Sequence, residues 1–326
     1  MRKGIEFLIA LGLASFFAVN LVFVSLVIPI NMIHPYLLKV SHDYWWPPAE
    51  AVEGLRPLGY SLFLGLLALI FAGFVARRER LSVLGSIALY LPTFGYFAFA
   101  MFFLAGVGVL RILWLPLIDI SPHVLRLGDI VYLPYTALTL VLIPMFLMAG
   151  ISATEFYIPL SMIIIWLGLL FFVLGASTWL YGRFKGCKII DFWIYKGSRH
   201  PQYLGFLLWS YGILSLATFI GVRRGGYLPE PSLPWLISAL IIAGVALHEE
   251  IIMTKKHGEK YLRYRDGTWF MVPLPKQVST LITAPARFLL KKNWPENAKE
   301  VVYVVILYGA ILVLLSLPLA LLFPIR

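Results

Sequence analysis

Eight apolar runs, each of a length that crosses a hydrocarbon core, dominate this chain: residues 5–33, 57–76, 81–110, 130–150, 157–180, 201–222, 233–252 and 300–323. A bilayer interior offers no water to an unpaired N–H or C=O, so runs of this kind cross it as helices. The expected fold class is therefore all-α, a polytopic helical membrane protein with about eight or nine transmembrane helices. The composition agrees, being 60% hydrophobic and only 13% charged. The opening "MRK" precedes an apolar run longer than the roughly 7 to 15 residues of a signal-peptide core, which reads as a retained first span.

Charge sets the topology. The net charge of +11 comes from Lys and Arg in short loops beside apolar runs, where they orient spans and meet anionic headgroups rather than nucleic acid. Residues 181–200 and 253–298 hold fourteen of the 27 basic residues, and the positive-inside rule places both stretches in the cytoplasm. Simple alternation from a cytoplasmic "MRK" puts them outside. One further crossing resolves the conflict, and the stretch 81–118, which carries a break at Pro92 to Gly95, is the place for a hairpin. The segment 34–57, with Tyr44, Trp45 and Trp46 ahead of two prolines, reads as an interfacial, extracytoplasmic loop. A single cysteine, Cys187, excludes an internal disulfide, and with no His cluster at metal spacing no structural metal is expected.

Two stretches carry chemistry. In "YKGSRHPQYLGFLLWSYG", residues 195–212, Pro201 suits a first helical position and makes His200 the N-cap of the sixth run. Arg199, His200 and the free N–H groups of that helix start are suited to an anion such as a carboxylate. Tyr203 lies one turn deeper. Gly205, Trp209 and Gly212 share a face that alternates shallow and bulky, a groove for another helix or a ligand. The same stretch also reads as a capped helix with interfacial Arg, His and Tyr anchors.

In the second stretch, Glu249 and Glu250 stand where the seventh run leaves the membrane. An acidic residue costs roughly 2.5 to 3.5 kcal/mol at mid-bilayer and less towards the edge, so the pair requires partners or a ligand. If the helix continues outward, Glu250, Thr254, His257, Tyr261 and Tyr264 fall on one face. Gly258, in mid-stripe, implies a bend or a close approach. An amphipathic exit helix with a snorkelling charge network is the plainer alternative.

Together, "RHPQYLGFLLWSYG" and, some 40 residues later, "EEIIMTKKHGEKYLRY" resemble the C-terminal core of the isoprenylcysteine carboxyl methyltransferases and their phospholipid methyltransferase relatives. The matching positions are Tyr195, Arg199, His200, Pro201, Tyr203, Gly205, Trp209 and Gly212, then Glu249, Glu250, Gly258, Tyr261, Tyr264 and Pro273. The chain departs from the pattern at Trp193, where the family has glycine, at His257, where it has phenylalanine, and at Thr268 and Trp269, which replace a Val-Pro pair.

The resemblance implies an enzyme: a membrane-embedded methyltransferase that uses S-adenosylmethionine without a Rossmann domain. Around it the chain is expected to divide into N-terminal spans of unknown role (1–155), a methyltransferase-like core (156–275), and an amphipathic connector with a final span (276–326). Cofactor-binding candidates are Tyr195, Arg199, His200, Pro201, Tyr203, Glu249, Glu250, Tyr261 and Tyr264, with the cofactor mouth in the cytoplasm. Catalytic candidates are Arg199 and Arg263, to orient a carboxylate acceptor, and Glu250, to deprotonate an amine. Gly205, Trp209 and Gly212 are the expected wall for a membrane lipid or lipidated small molecule entering from the bilayer. The expected activity is carboxyl O-methylation. The alternatives are N-methylation of a phospholipid amine, an NADPH-dependent reductase of the membrane sterol type, and a transporter or assembly protein without catalysis.

Overall fold

The computed structural model describes residues 2–23, 115–121, 124, 126–150, 153–219 and 232–322, together with residues 56, 57, 60, 61 and 64. Along the chain run α1 (Arg2–Val22), α2 (Leu115–Ile120), a 3-10 turn (Asp129–Tyr132), α3 (Leu133–Met148) and α4 (Ala153–Phe184). A second 3-10 turn (Trp193–Lys196) leads into α5 (Pro201–Phe219), α6 (Ser232–His257), α7 (Glu259–Gly267), α8 (Lys276–Leu290) and α9 (Ala298–Leu322). Among the described residues no strand forms, as an all-α membrane protein requires.

Five described stretches are long and apolar enough to cross a membrane: Gly4–Val22, Asp129–Met148, Glu155–Phe184, Trp235–His257 and Ala298–Ala320. They match the expected runs at 5–33, 130–150, 157–180, 233–252 and 300–323. The run at 201–222 is the helix α5. The runs at 57–76 and 81–110, the hairpin in 81–118 and the aromatic loop lie outside the described residues, apart from isolated positions and residues 115–118 at the start of α2.

The chain forms two compact units, each drawn from separate stretches: Met1–Asn20, Ile163–Gly212 and Ala239–Tyr308 in the first, Leu21–Met162, Ile213–Ser238 and Gly309–Arg326 in the second. In the second unit, α3 and α4 meet as a hairpin, with Phe146 against Phe156 at 4.6 Å and the Tyr135 hydroxyl within 2.9 Å of Ser161 Oγ. A buried polar lock accompanies it. Arg126 pairs with Asp129 at 2.9 Å, the Ser232 hydroxyl donates to Asp129 at 2.6 Å, and Ser316 Oγ accepts the Ile130 N–H at 3.1 Å.

The first unit contains every candidate site residue. Its α4 and α5 approach until backbones touch, because glycines stand at the crossing. A Cβ on Gly168 would lie 2.6 Å from Trp209 Cα, one on Gly205 2.7 Å from Phe172 Cα, and one on Gly175 2.9 Å from Gln202 N. Trp209 is completely buried. The groove expected at Gly205 and Trp209 as a substrate wall is thus a helix contact, filled by α4. Gly212 is buried as well.

At 32 residues, α4 is about 48 Å long against a hydrocarbon core of about 30 Å, so it extends beyond the membrane. It ends where Gly186 turns to φ +69°, with Cys187 N–H donating to Gly182 O at 2.9 Å and Gly186 N–H to Arg183 O at 3.0 Å, a glycine C-cap of the Schellman type. At the cap, Lys185 forms an ion pair with Glu6 of α1.

Candidate functional site

Arg199 organises the site. Pro201 cannot donate a backbone hydrogen bond, so α5 starts there, and the His200 carbonyl accepts its first bond from Leu204 N–H at 3.0 Å. His200 is the expected N-cap residue. One position earlier, the Arg199 N–H donates to Trp269 O at 2.9 Å. Its guanidinium, almost wholly buried, donates from Nε to Glu250 Oε1 at 2.5 Å and from Nη2 to Glu250 Oε2 at 3.4 Å. Nη1 donates to Arg265 O at 2.6 Å and to Thr268 O. Four of the five N–H groups of an arginine are thereby used.

Around that pair stands a ring of polar and aromatic groups. His200 Nε2 lies 3.2 Å from Glu250 Oε1, so Glu250, 3% exposed, is held from two sides. Glu249 differs. Its side chain is 48% exposed, and the Tyr203 hydroxyl donates to it at 2.6 Å. Tyr203 stacks on His200 with ring centres 5.7 Å apart, and Phe270 meets His200 edge-on at 5.1 Å. A buried charge pair is tolerated when its remaining donors and acceptors are largely satisfied, and with four of five guanidinium donors used this one comes close to that condition.

The stripe expected from Glu250 to Tyr264 on one continuous helix is broken. Gly258 adopts φ +51°, ψ −135°, a conformation for which only glycine is suited. With no atom within 4 Å of a Cβ built there, Gly258 serves the bend rather than a close approach. The bend turns α7 towards the 193–196 turn. There the Tyr264 hydroxyl donates to Tyr195 O at 2.7 Å, Tyr261 meets Tyr264 with ring centres 5.9 Å apart, and Gln202 donates to the Tyr195 hydroxyl at 3.2 Å. Burial pushes the hydroxyls of Tyr195, Tyr261 and Tyr264 up from their ordinary range, so all three remain protonated.

Trp193, at a position where the resembled motif carries glycine, has φ +50°. That is the left-handed region, which disfavours a bulky side chain. Its ring stacks on Tyr181 at 5.1 Å and meets Phe7 and Phe192 edge-on, each at 5.3 Å, contacts that glycine lacks. Thr268 and Trp269, the other departures, enter the Arg199 network through their carbonyls. Any residue supplies a carbonyl, so replacing Val-Pro leaves those contacts intact.

Beside Glu250 lies a cavity of about 430 Å³, lined by Glu250, Thr254 and Lys255 of α6, Arg265 of α7, and residues 292–296 of the turn before α9. Trp294 is its aromatic wall, with the Arg199 and Arg265 guanidinium carbons 5.2 and 5.1 Å from its ring centre. The turn is anchored. Lys292 pairs with Glu296 and Glu300, each at 2.9 Å, and Asn297 caps α9 by accepting the Glu300 N–H at 3.1 Å. Both carboxylates raise the Lys292 ammonium above its ordinary range.

Of the residues expected in the site, Arg199, His200, Tyr203, Glu249 and Glu250 share one network, and Tyr195, Tyr261 and Tyr264 pack as a second layer. Arg263 is exposed and lies outside the cavity wall, because the helical turn of α7 gives that wall to Arg265. The open anion site expected at the start of α5 is closed: Pro201 is fully buried, Gly175 of α4 packs against Gln202 N, and Arg199 is engaged internally. Sequence reading missed Arg265 and Trp294. The only signal was an aromatic between basic residues and a span, which reads equally as an interfacial anchor. No protein-family model, curated protein or solved structure matches this chain.

Proposed function

We propose that this chain is an integral membrane S-adenosylmethionine-dependent methyltransferase that acts on a lipid-like acceptor, with carboxyl O-methylation of the isoprenylcysteine type as the favoured reaction. The observation that carries the reading is the meeting of the two motif halves. Arg199 and Glu250, 51 positions apart, form a buried pair at 2.5 Å beside a cavity of about 430 Å³, within the roughly 300 to 1,000 Å³ of small-molecule sites.

The residues present fit the cofactor. At the cavity wall Glu250 is an acceptor for an ammonium or ribose hydroxyls, Thr254 and Asn293 add polar groups, and Trp294 offers a ring face. When bound, S-adenosylmethionine supplies an electrophilic methyl group on a sulfonium. The chain's own residues then align and exclude water: Arg199 fixes the Glu250 carboxylate, His200 and Tyr203 fix the adjoining face, and Trp294 and Pro295 wall the cavity. A carboxylate acceptor is already nucleophilic and requires orientation alone. An amine acceptor requires a base, for which Glu249 is the more accessible carboxylate.

We place the site at the cytoplasmic face, where the basic stretches 181–200 and 253–298 belong. The Glu6–Lys185 ion pair supports the extra crossing, since "MRK" and Lys185 at one membrane face require an even number of spans between them, six rather than five. That gives nine in all. Cys187, partly exposed, tests it: an impermeant thiol reagent labels Cys187 only after lysis, and labelling in intact cells would reverse the topology. Titration of the purified protein with S-adenosylmethionine and with NADPH tests the activity class. Micromolar binding of the first alone is expected; binding of NADPH alone assigns the reductase class, and binding of neither returns the network to a structural role.

A further inference from the structure

We propose that Arg265 is the carboxylate anchor of this site. The inference rests on the methyltransferase reading and names the cation in the cavity that remains able to hold a ligand's carboxylate. Arg199 has four N–H groups committed to Glu250 and two carbonyls, and the start of α5 is closed by α4. Lys292 is held by two glutamates. Lys255 is exposed, a hydrated ammonium on a flexible stem.

Arg265 is different in each respect. It lines the cavity, its side chain is 17% exposed, and its Nε is buried without a hydrogen-bond partner. That same Nε lies 3.5 Å from the Asp266 carboxylate, an ion-pair contact without a hydrogen bond to a side chain 69% exposed. A carboxylate is the acceptor that a guanidinium fork matches best. Trp294 holds the guanidinium carbon 5.1 Å from its ring centre, so the fork is positioned before any ligand arrives. The carboxylate that holds Arg199, Glu250, lines the same cavity, which leaves a ligand's positive end facing acid and its negative end facing Arg265. Two molecules in this reaction carry a carboxylate: the methyl donor, through its amino-acid group, and a thioether carboxylate acceptor.

Calorimetry separates the sources. Wild type, Arg265→Gln and Arg265→Lys are titrated with S-adenosylmethionine and its decarboxylated analogue, then with an S-farnesyl thioether carboxylic acid and its carboxamide. We expect Arg265→Gln to lose tenfold or more in affinity for the carboxylate-bearing member of one pair, Arg265→Lys to lose less, and the carboxylate-free member to bind all three proteins alike. The pair that responds identifies the source. The Arg265 carbonyl that receives Arg199 is main chain and survives both substitutions, so equal melting temperatures are expected. If Arg265→Gln binds both acids as wild type does, or loses as much for the carboxylate-free members, Arg265 is not the anchor and the methyltransferase reading stands. If wild type binds none of the four compounds, both readings fall.

Discussion

Replacing Arg199 by alanine should unfold the first compact unit at markedly lower temperature, whatever the site binds. The substitution removes both guanidinium contacts to Glu250 and leaves that carboxylate, 4% exposed at its side chain, with His200 at 3.2 Å. Breaking a buried pair from one side costs about 3 to 5 kcal/mol, because the surviving charge stays desolvated. Arg265 O and Thr268 O also lose their donor, which adds to the cost unless water enters from the cavity. Against the 5 to 15 kcal/mol typical of whole proteins this is a large fraction. At roughly 2 °C per kcal/mol for a chain of this size, the melting temperature in detergent should fall by roughly 6 to 10 °C.

Removing both charges by Arg199→Met with Glu250→Leu leaves no stranded carboxylate. The double variant should therefore lie closer to wild type than the single variant, with a coupling of at least about 2 kcal/mol. Thermal unfolding followed by size-exclusion chromatography of wild type, Arg199→Met, Glu250→Leu and the double variant closes the cycle. A single variant within 1 °C of wild type, or a double variant that simply adds the two losses, would refute the claim that this pair clamps α5 to α6.

Gly205→Leu should prevent stable folding rather than block substrate entry selectively, since even a Cβ there falls 2.7 Å from Phe172 Cα; recovery of folded protein with intact cofactor affinity would restore the substrate-groove reading. At Trp193, alanine should be less stable than glycine by about 1 kcal/mol, because both lose the aromatic contacts but only alanine retains the steric cost of φ +50°; the opposite order in melting temperature would show that the strain is relieved elsewhere. Folded Tyr195, Tyr261 and Tyr264 keep their protons above the ordinary 10.0, whereas unfolded tyrosines ionise near pH 10. Their contribution is therefore fully present below about pH 10 and is lost as pH rises further, because the folded state then binds more protons than the unfolded one. Tyr264→Phe removes one such group, so its melting temperature should decline less steeply between about pH 10 and about pH 11.5; an equal slope would mean that Tyr264 ionises alike in both states.

By itself, the sequence determined the class of solvent and hence the class of structure. Runs such as 130–150 and 300–323 offer water few polar groups, and inside a bilayer only helices satisfy their backbone. It also determined the start of α5, because Pro201 has no N–H and sets its own φ, and it marked Gly258, a residue that weakens helices, as either a bend or a close approach. These are local properties. The partner of each buried charge was not local: Arg199 reads as an open anion site until folding brings Glu250, Arg265 O and Thr268 O to its donors. The Gly205 face reads equally as a ligand groove or a helix seat, and Gly168 and Phe172 of α4 settle which. Arg263 and Arg265 are alike in composition, and only the direction in which α7 leaves Gly258 exposes one to solvent and turns the other to the cavity. A charged side chain's role depends on which acceptors reach it through space, and only the tertiary structure decides that.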